Sequence, residues 1–239
     1  MMGEVVLNIE GLVFGHKAPL VSQAVDISAS AGDFICLVGR NGTGKTTMLS
    51  TLIGVKKPLA GHISICGVPL DRISAREKSR YISFVPSKVE AVLNMRIRDL
   101  IAVGRSPYTN IFDRRTKADE AIIEDFIQKF GLSDIAASMI TEVSDGERQK
   151  AMICRAMVQQ TPVILLDEPT AFLDFFAKRK LLSDLKKIAS EENRCIIFSC
   201  HDLEIAAKYC SHIWLLDDRK LESVTVDEFL NGGYFSKYQ

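Results

Sequence analysis

At 239 residues, with 47% hydrophobic side chains, the chain is long enough for one large domain with a sizeable core, or for a domain with a lobe inserted. Thirty lysines and arginines balance thirty aspartates and glutamates, which counts against nucleic acid as a partner, because that needs a basic face. No apolar run approaches the roughly 18 residues of a membrane span, and the first residues lack the basic and apolar regions of a secretory signal.

Residues 5–9 and 12–14 read as two short strands, and residues 25–29 alternate apolar and polar as a half-buried strand does. Ala31-Gly32-Asp33 is a turn before the apolar strand 34–38. That strand leads into Gly39-Arg40-Asn41-Gly42-Thr43-Gly44-Lys45-Thr46, the complete G-x-x-x-x-G-K-T phosphate-loop pattern, and Thr47 begins a helical stretch. Strand, glycine loop and helix are the context that the motif requires. Glycines let backbone N–H groups converge on an anion, and the helix start adds its positive dipole end. Lys45 then reaches the outer phosphates, and the Thr46 hydroxyl takes a place on Mg2+.

Residues 61–66 and 81–85 read as further strands, the second ended by Pro86. From about Lys88 to Val158 the pattern turns helical. Residues 97–103 form an amphipathic segment ended near Gly104, and 105–115 a polar loop. Helix 116–130 repeats Ala118, Ile122, Phe126 and Phe130 every fourth position, with Thr116 and Asp119 at its start and Gly131 at its end. In Val143-Ser144-Asp145-Gly146-Glu147-Arg148-Gln149, Ser144 and Glu147 form a capping box, and the helix start behind them is a candidate second anion site.

Strand 163–166 runs into Asp167-Glu168. Carboxylates at the carboxyl end of such a strand sit where open α/β sheets bind ligands. Behind a phosphate loop the first acid holds Mg2+ through water, and the second polarises a water aimed at the γ-phosphate. His201 follows strand 195–198 and reaches the same edge. Helices are expected at 176–189, 203–209 and 226–230, with a strand at 213–216 and a turn at Asp217-Asp218. The six cysteines (Cys36, Cys66, Cys154, Cys195, Cys200, Cys210) form no C-x-x-C pair and read as reduced, buried and cytosolic.

Together these residues resemble an ABC transporter ATP-binding subunit over nearly the whole chain. The resemblance rests on the loop at 39–46, the acidic strand at 163–168, Ser144–Gln149, Phe172-Leu173-Asp174 and His201. Val103-Gly104-Arg105-Ser106-Pro107-Tyr108 is similar to a stretch in importers of iron–siderophore, haem and cobalamin complexes. The fold implied is α/β: a P-loop NTPase (RecA-like) core over 1–87 and 159–239, with an antiparallel β subdomain and an inserted α-helical subdomain over 88–158. The function implied is hydrolysis of ATP with Mg2+, driving import through separate integral membrane permease subunits from the cytoplasmic face of the membrane. The resemblance further implies a head-to-tail, ATP-dependent homodimer. In it Ser144, Gly146 and Glu147 of one copy complete the phosphate loop of the other, and Asp174 contacts the partner across the interface. Phe14 stands where the family places an aromatic that stacks on adenine.

Two positions depart from the family pattern. Ser87 replaces a glutamine that contacts Mg2+ and the attacking water, and Asp145 replaces the second signature glycine. Asp145 is expected to face outward, where its charge favours the helix dipole. These departures raise an alternative, a hydrolysis-impaired nucleotide-binding module of the same fold. A soluble, non-transport ABC ATPase is the third reading.

Overall fold

The computed structural model describes residues 3–87, 94–109, 114–201 and 203–232. The expected start of the helical subdomain at Lys88, and residues 110–113 of the expected polar loop, lie outside them. The first half of the chain runs β1 (Val5–Val13), β2 (Val25–Ser30), β3 (Phe34–Val38), α1 (Lys45–Leu52), β4 (Ala60–Ile65), β5 (Val68–Pro69), α2 (Ala75–Lys78), β6 (Ile82–Val85), α3 (Ile97–Ala102) and α4 (Lys117–Lys129). The second half runs α5 (Asp145–Val158), β7 (Val163–Leu166), α6 (Phe175–Glu191), β8 (Cys195–Ser199), α7 (Leu203–Tyr209), β9 (His212–Asp217), β10 (Lys220–Thr225) and α8 (Val226–Asn231).

Two sheets result. One is antiparallel, in the order β2-β1-β4-β5. The other has the order β10-β9-β3-β8-β7-β6; its strands are parallel from β9 to β6, with β10 antiparallel at the edge. This is the α/β architecture that the resemblance implies. Every residue of β3, β7 and β8 is buried, which is why these strands read as unbroken apolar runs. The strand period of two divides their side chains between two cores. Phe34, Cys36 and Val38 face the core shared with α3, α4, α5 and α6, while Ile35 and Leu37 face the one shared with α1, β1 and β4. Each such side chain contributes roughly 1.5–3 kcal/mol by leaving water, so the parallel strands anchor both layers at once.

Hydroxyl caps set several helix starts. Thr116 and Asp119 satisfy each other's backbone N–H groups at the head of α4, and Ser144 and Glu147 do so at the head of α5.

The structure corrects four expectations. The two N-terminal strands are one, β1, with a register shift between Ile9 and Leu12. That bulge reverses the alternation, so Leu12 and Phe14 both turn inward. Phe14 is 0% exposed, within the core beneath the antiparallel sheet, and has no face to offer an adenine. Cys66 is exposed, in a turn at positive φ, unlike the other five cysteines. The start of the expected polar loop is a 3-10 turn, Val103–Tyr108, whose Arg105 is buried against Asp119 at 2.8 Å. Three short elements, β5, α2 and β10, were not expected.

Candidate functional site

Parallel strands place their carboxyl ends at one edge. Val38 at the end of β3 opens the phosphate loop, and Leu166 at the end of β7 precedes Asp167-Glu168. Ser199 at the end of β8 precedes Cys200-His201, and Val85 at the end of β6 precedes Pro86-Ser87. The register aligns Val85 with Leu166, Leu166 with Phe198 and Leu37 with Ser199, so these four ends stand side by side.

Gly44 caps α1 with φ 108 and no side-chain bond, and a Cβ there would meet Leu20 Cδ1 at 2.6 Å. With no acidic residue in the first turn of α1, its free N–H groups face the loop unopposed. Lys45 is 7% exposed and folds back over the loop, donating to Gly39 O at 2.7 Å and Arg40 O at 3.1 Å. Burial lowers its ammonium below the usual lysine range, against the opposing pull of Glu168 and Asp167. Asn41, Gly42, Gly44, Lys45, Thr46, Thr47 and Glu168 share a cavity of ≈ 330 Å³ with His16 and Leu20. Thr43 turns away from it, its hydroxyl donating to Arg40 O at 2.9 Å.

Thr46 Oγ1 donates to Asp167 Oδ2 at 2.7 Å. A hydroxyl and a carboxylate this close form a hard-oxygen pair that suits a small cation completed by water and phosphate oxygens. Mg2+ therefore fits the residues present. Glu168 Oε1 lies 2.6 Å from His201 Nε2, joining the second acid to the histidine. Glu168 has φ 50, a conformation that costs about 1–3 kcal/mol in a non-glycine residue and marks held, functional backbone. Ser87 is half-buried at the same edge and stays outside this network.

The other expected residues gather elsewhere. Ser144 caps α5, and Glu147 Oε2 accepts from its hydroxyl at 2.7 Å and its N–H at 2.9 Å. These bonds hold the Glu147 carboxyl below its usual range. Asp145 is turned outward, its side chain 66% exposed and paired with Arg148 at 2.6 Å. Gly146 lies against Phe172 O and Leu173, so a side chain there would press on the segment before α6. Asp174 is exposed and caps α6, accepting from the Ala177 N–H at 2.9 Å. None of these residues lines the phosphate-loop cavity of its own chain.

Two residues at the site were missed from sequence. His16 lies 3.4 Å from Thr47 Oγ1 and 3.0 Å from Lys56 Nζ, and lines the cavity. Its place two residues past Phe14 is not marked by any motif, and its only signal is its nearness to Phe14 in the chain. Ser199 falls just past the expected strand 195–198; the structure makes it the last residue of β8, buried and bonded to Asp167.

A family model for ABC transporters matches residues 22–171. The cobalamin import ATP-binding protein of Halobacterium salinarum is 32% identical over 90% of this chain, and the match spans 54% of that protein's length. The ferric enterobactin transport ATP-binding protein of Escherichia coli is 30% identical over 92% of this chain and 82% of its own. A solved inward-facing ABC transporter, assigned to the metal-chelate type, superposes with a TM-score of 0.85 at 26% identity, over 98% of this chain and 88% of that one. With the family model covering more than half of its residues, the chain belongs to the ABC transporter family, in which it is an ABC ATPase.

Proposed function

We propose that this chain hydrolyses ATP to power import of an iron–siderophore, haem or cobalamin-type complex through a separate membrane permease. The observation that carries the reading is the pairing of Thr46 with Asp167 and of Glu168 with His201 at the mouth of the phosphate loop.

In this reading the phosphates lie along the N–H groups between Gly39 and Thr47, and Lys45 leaves the loop carbonyls to meet the outer ones. Thr46 and Asp167 would hold Mg2+, and Ser87 follows the end of β6 at the same sheet edge. Held there, Mg2+ would supply positive charge against the negative charge that develops on the γ-phosphoryl group. Glu168 takes the proton of the attacking water at its carboxylate, which His201 orients. His16 forms the wall on the nucleoside side. Two copies pack head to tail, so that Ser144, Gly146 and Glu147 of one close over the γ-phosphate held by the other. Asp174 lies at that interface.

The import assignment rests on the cobalamin and ferric enterobactin relatives and on residues 103–108. No helix among the described residues is long and apolar enough to cross a membrane. On the strength of those relatives, the reading places the subunit as a peripheral partner of permease chains at the cytoplasmic face.

Two measurements test this. Light scattering on Glu168→Gln protein should find a dimer with MgATP and a monomer without it. The native complex should co-purify with a permease, and vesicles holding both should accumulate a metal chelate or corrinoid only with ATP. A monomer under all conditions, or uptake indifferent to ATP, would contradict it. That serine stands at position 87, where the family pattern has glutamine, favours a second reading, a nucleotide-binding module with impaired hydrolysis, and turnover by the purified protein separates the two.

A further inference from the structure

The site has a member that neither the phosphate loop nor the acidic strand end supplies. Ser199, the last residue of β8, is 0% exposed. A serine hydroxyl has one hydrogen to give and lone pairs to receive. Here the hydrogen goes to Asp167 Oδ1 at 2.7 Å, and Oγ accepts the Glu168 N–H at 2.8 Å. One buried atom is bonded to both acids.

Asp167 is thereby held at both oxygens, Oδ1 by Ser199 and Oδ2 by Thr46. A metal would bind Thr46 through an oxygen lone pair, so the hydroxyl hydrogen can stay on Asp167 Oδ2, whose other lone pair remains open to the site. The bond to Ser199 lies in the closed interior and stays. Asp167 then cannot rotate, and it presents Oδ2. Glu168 has positive φ, a conformation that persists where surrounding bonds fix it, and its N–H is fixed by Ser199.

The geometry points to Ser199 as a positioning residue that orients both acids at once. It selects the Asp167 oxygen offered to the metal, and it sets the Glu168 backbone so that the carboxylate meets His201. This rests on the ATPase reading of the site. Ser199 itself lies behind the acids, and it acts through them.

The test uses the full chain carrying Ser199→Ala or Ser199→Cys. The cysteine variant leaves no cavity, its sulfur being somewhat larger than the oxygen, but offers a weak donor, so it separates a lost hydrogen bond from a cavity. For both variants, kcat should fall roughly 10–100-fold, and Mn2+ binding to the nucleotide complex, read by electron paramagnetic resonance, should weaken by a similar factor. KM for ATP should stay at the unmutated value. Wild-type kcat and Mn2+ affinity in the cysteine variant would overturn the assignment. So would a loss of ATP binding in step with kcat, the mark of a merely structural role. If the unmutated protein itself shows no turnover, the ATPase reading fails separately, and the Mn2+ measurement still decides the role of Ser199.

Discussion

Thr46 Oγ1 donates to Asp167 Oδ2 at 2.7 Å, tying the first turn of α1 to the end of β7. Hydrogen bonds to charged groups contribute about 1.5–3 kcal/mol. Thr46→Ala should lower the unfolding free energy of the nucleotide-free protein by that order, measured by urea titration, while Thr46→Ser should leave it unchanged. The alanine variant should also need more Mg2+ for half-maximal ATP binding. An alanine variant with native Mg2+ dependence would remove Thr46 from the proposed cation site.

Phe14 and His16 should separate cleanly. Phe14 is buried among Leu12 and its neighbours, so Phe14→Ala should cost about 3–5 kcal/mol of stability by opening a cavity. His16 lines the phosphate-loop cavity, so His16→Ala should weaken ATP binding several-fold with little change in Tm. Fluorescent-nucleotide titration and thermal unfolding read the two effects. Phe14 would return as the adenine contact if its loss weakened nucleotide binding without loss of stability.

The Arg105–Asp119 pair is buried, with both side chains 8% exposed. Arg105 also donates to Val158 O at 2.8 Å and stacks on Tyr108, with 4.2 Å from its Cζ to the ring centre. Removing one partner strands the other charge, and Asp119→Ala should cost roughly 3–5 kcal/mol. Burial pushes the Asp119 carboxyl upward, but the Thr116 hydroxyl and N–H and the Arg105 guanidinium outweigh it, so the net shift is downward. Its contribution is therefore full above the ordinary aspartate range and is lost as pH falls through the depressed value. The acid limb of a stability–pH curve should flatten in the variant; an unchanged limb would refute the linkage.

Asp145 should tolerate replacement. It pairs with Arg148 on the surface, and exposed pairs contribute about 0–1 kcal/mol. Asp145→Gly should shift stability within that range and leave ATP affinity unchanged, by calorimetry. A large gain in affinity would mean that the carboxylate opposes the phosphate after all.

Much of this was legible because local chemistry decided it. The phosphate loop, the acidic end of β7 and the caps at Thr116 and Ser144 each depend on a few residues in a row. Helix α7 matches its expected span, Leu203–Tyr209, for the same reason. What escaped depends on pairing. The bulge that turns Phe14 inward shows only where β1 pairs with β2 and β4. Strand β10 takes its form from β9, along which Leu221 faces Leu216 and Val224 faces Ile213. Arg105 read as a loop residue because its partner Asp119 lies on α4. Ser199 was passed over because its bonds run to β7's end, more than thirty positions away.

The most direct test of the whole account is steady-state ATP hydrolysis by the purified protein with its membrane partner, beside a Glu168→Gln control. The account predicts Mg2+-dependent turnover that falls roughly 100- to 10,000-fold in the control, the range for loss of a general base. Equal rates in the two proteins, or no turnover above the control, would contradict it.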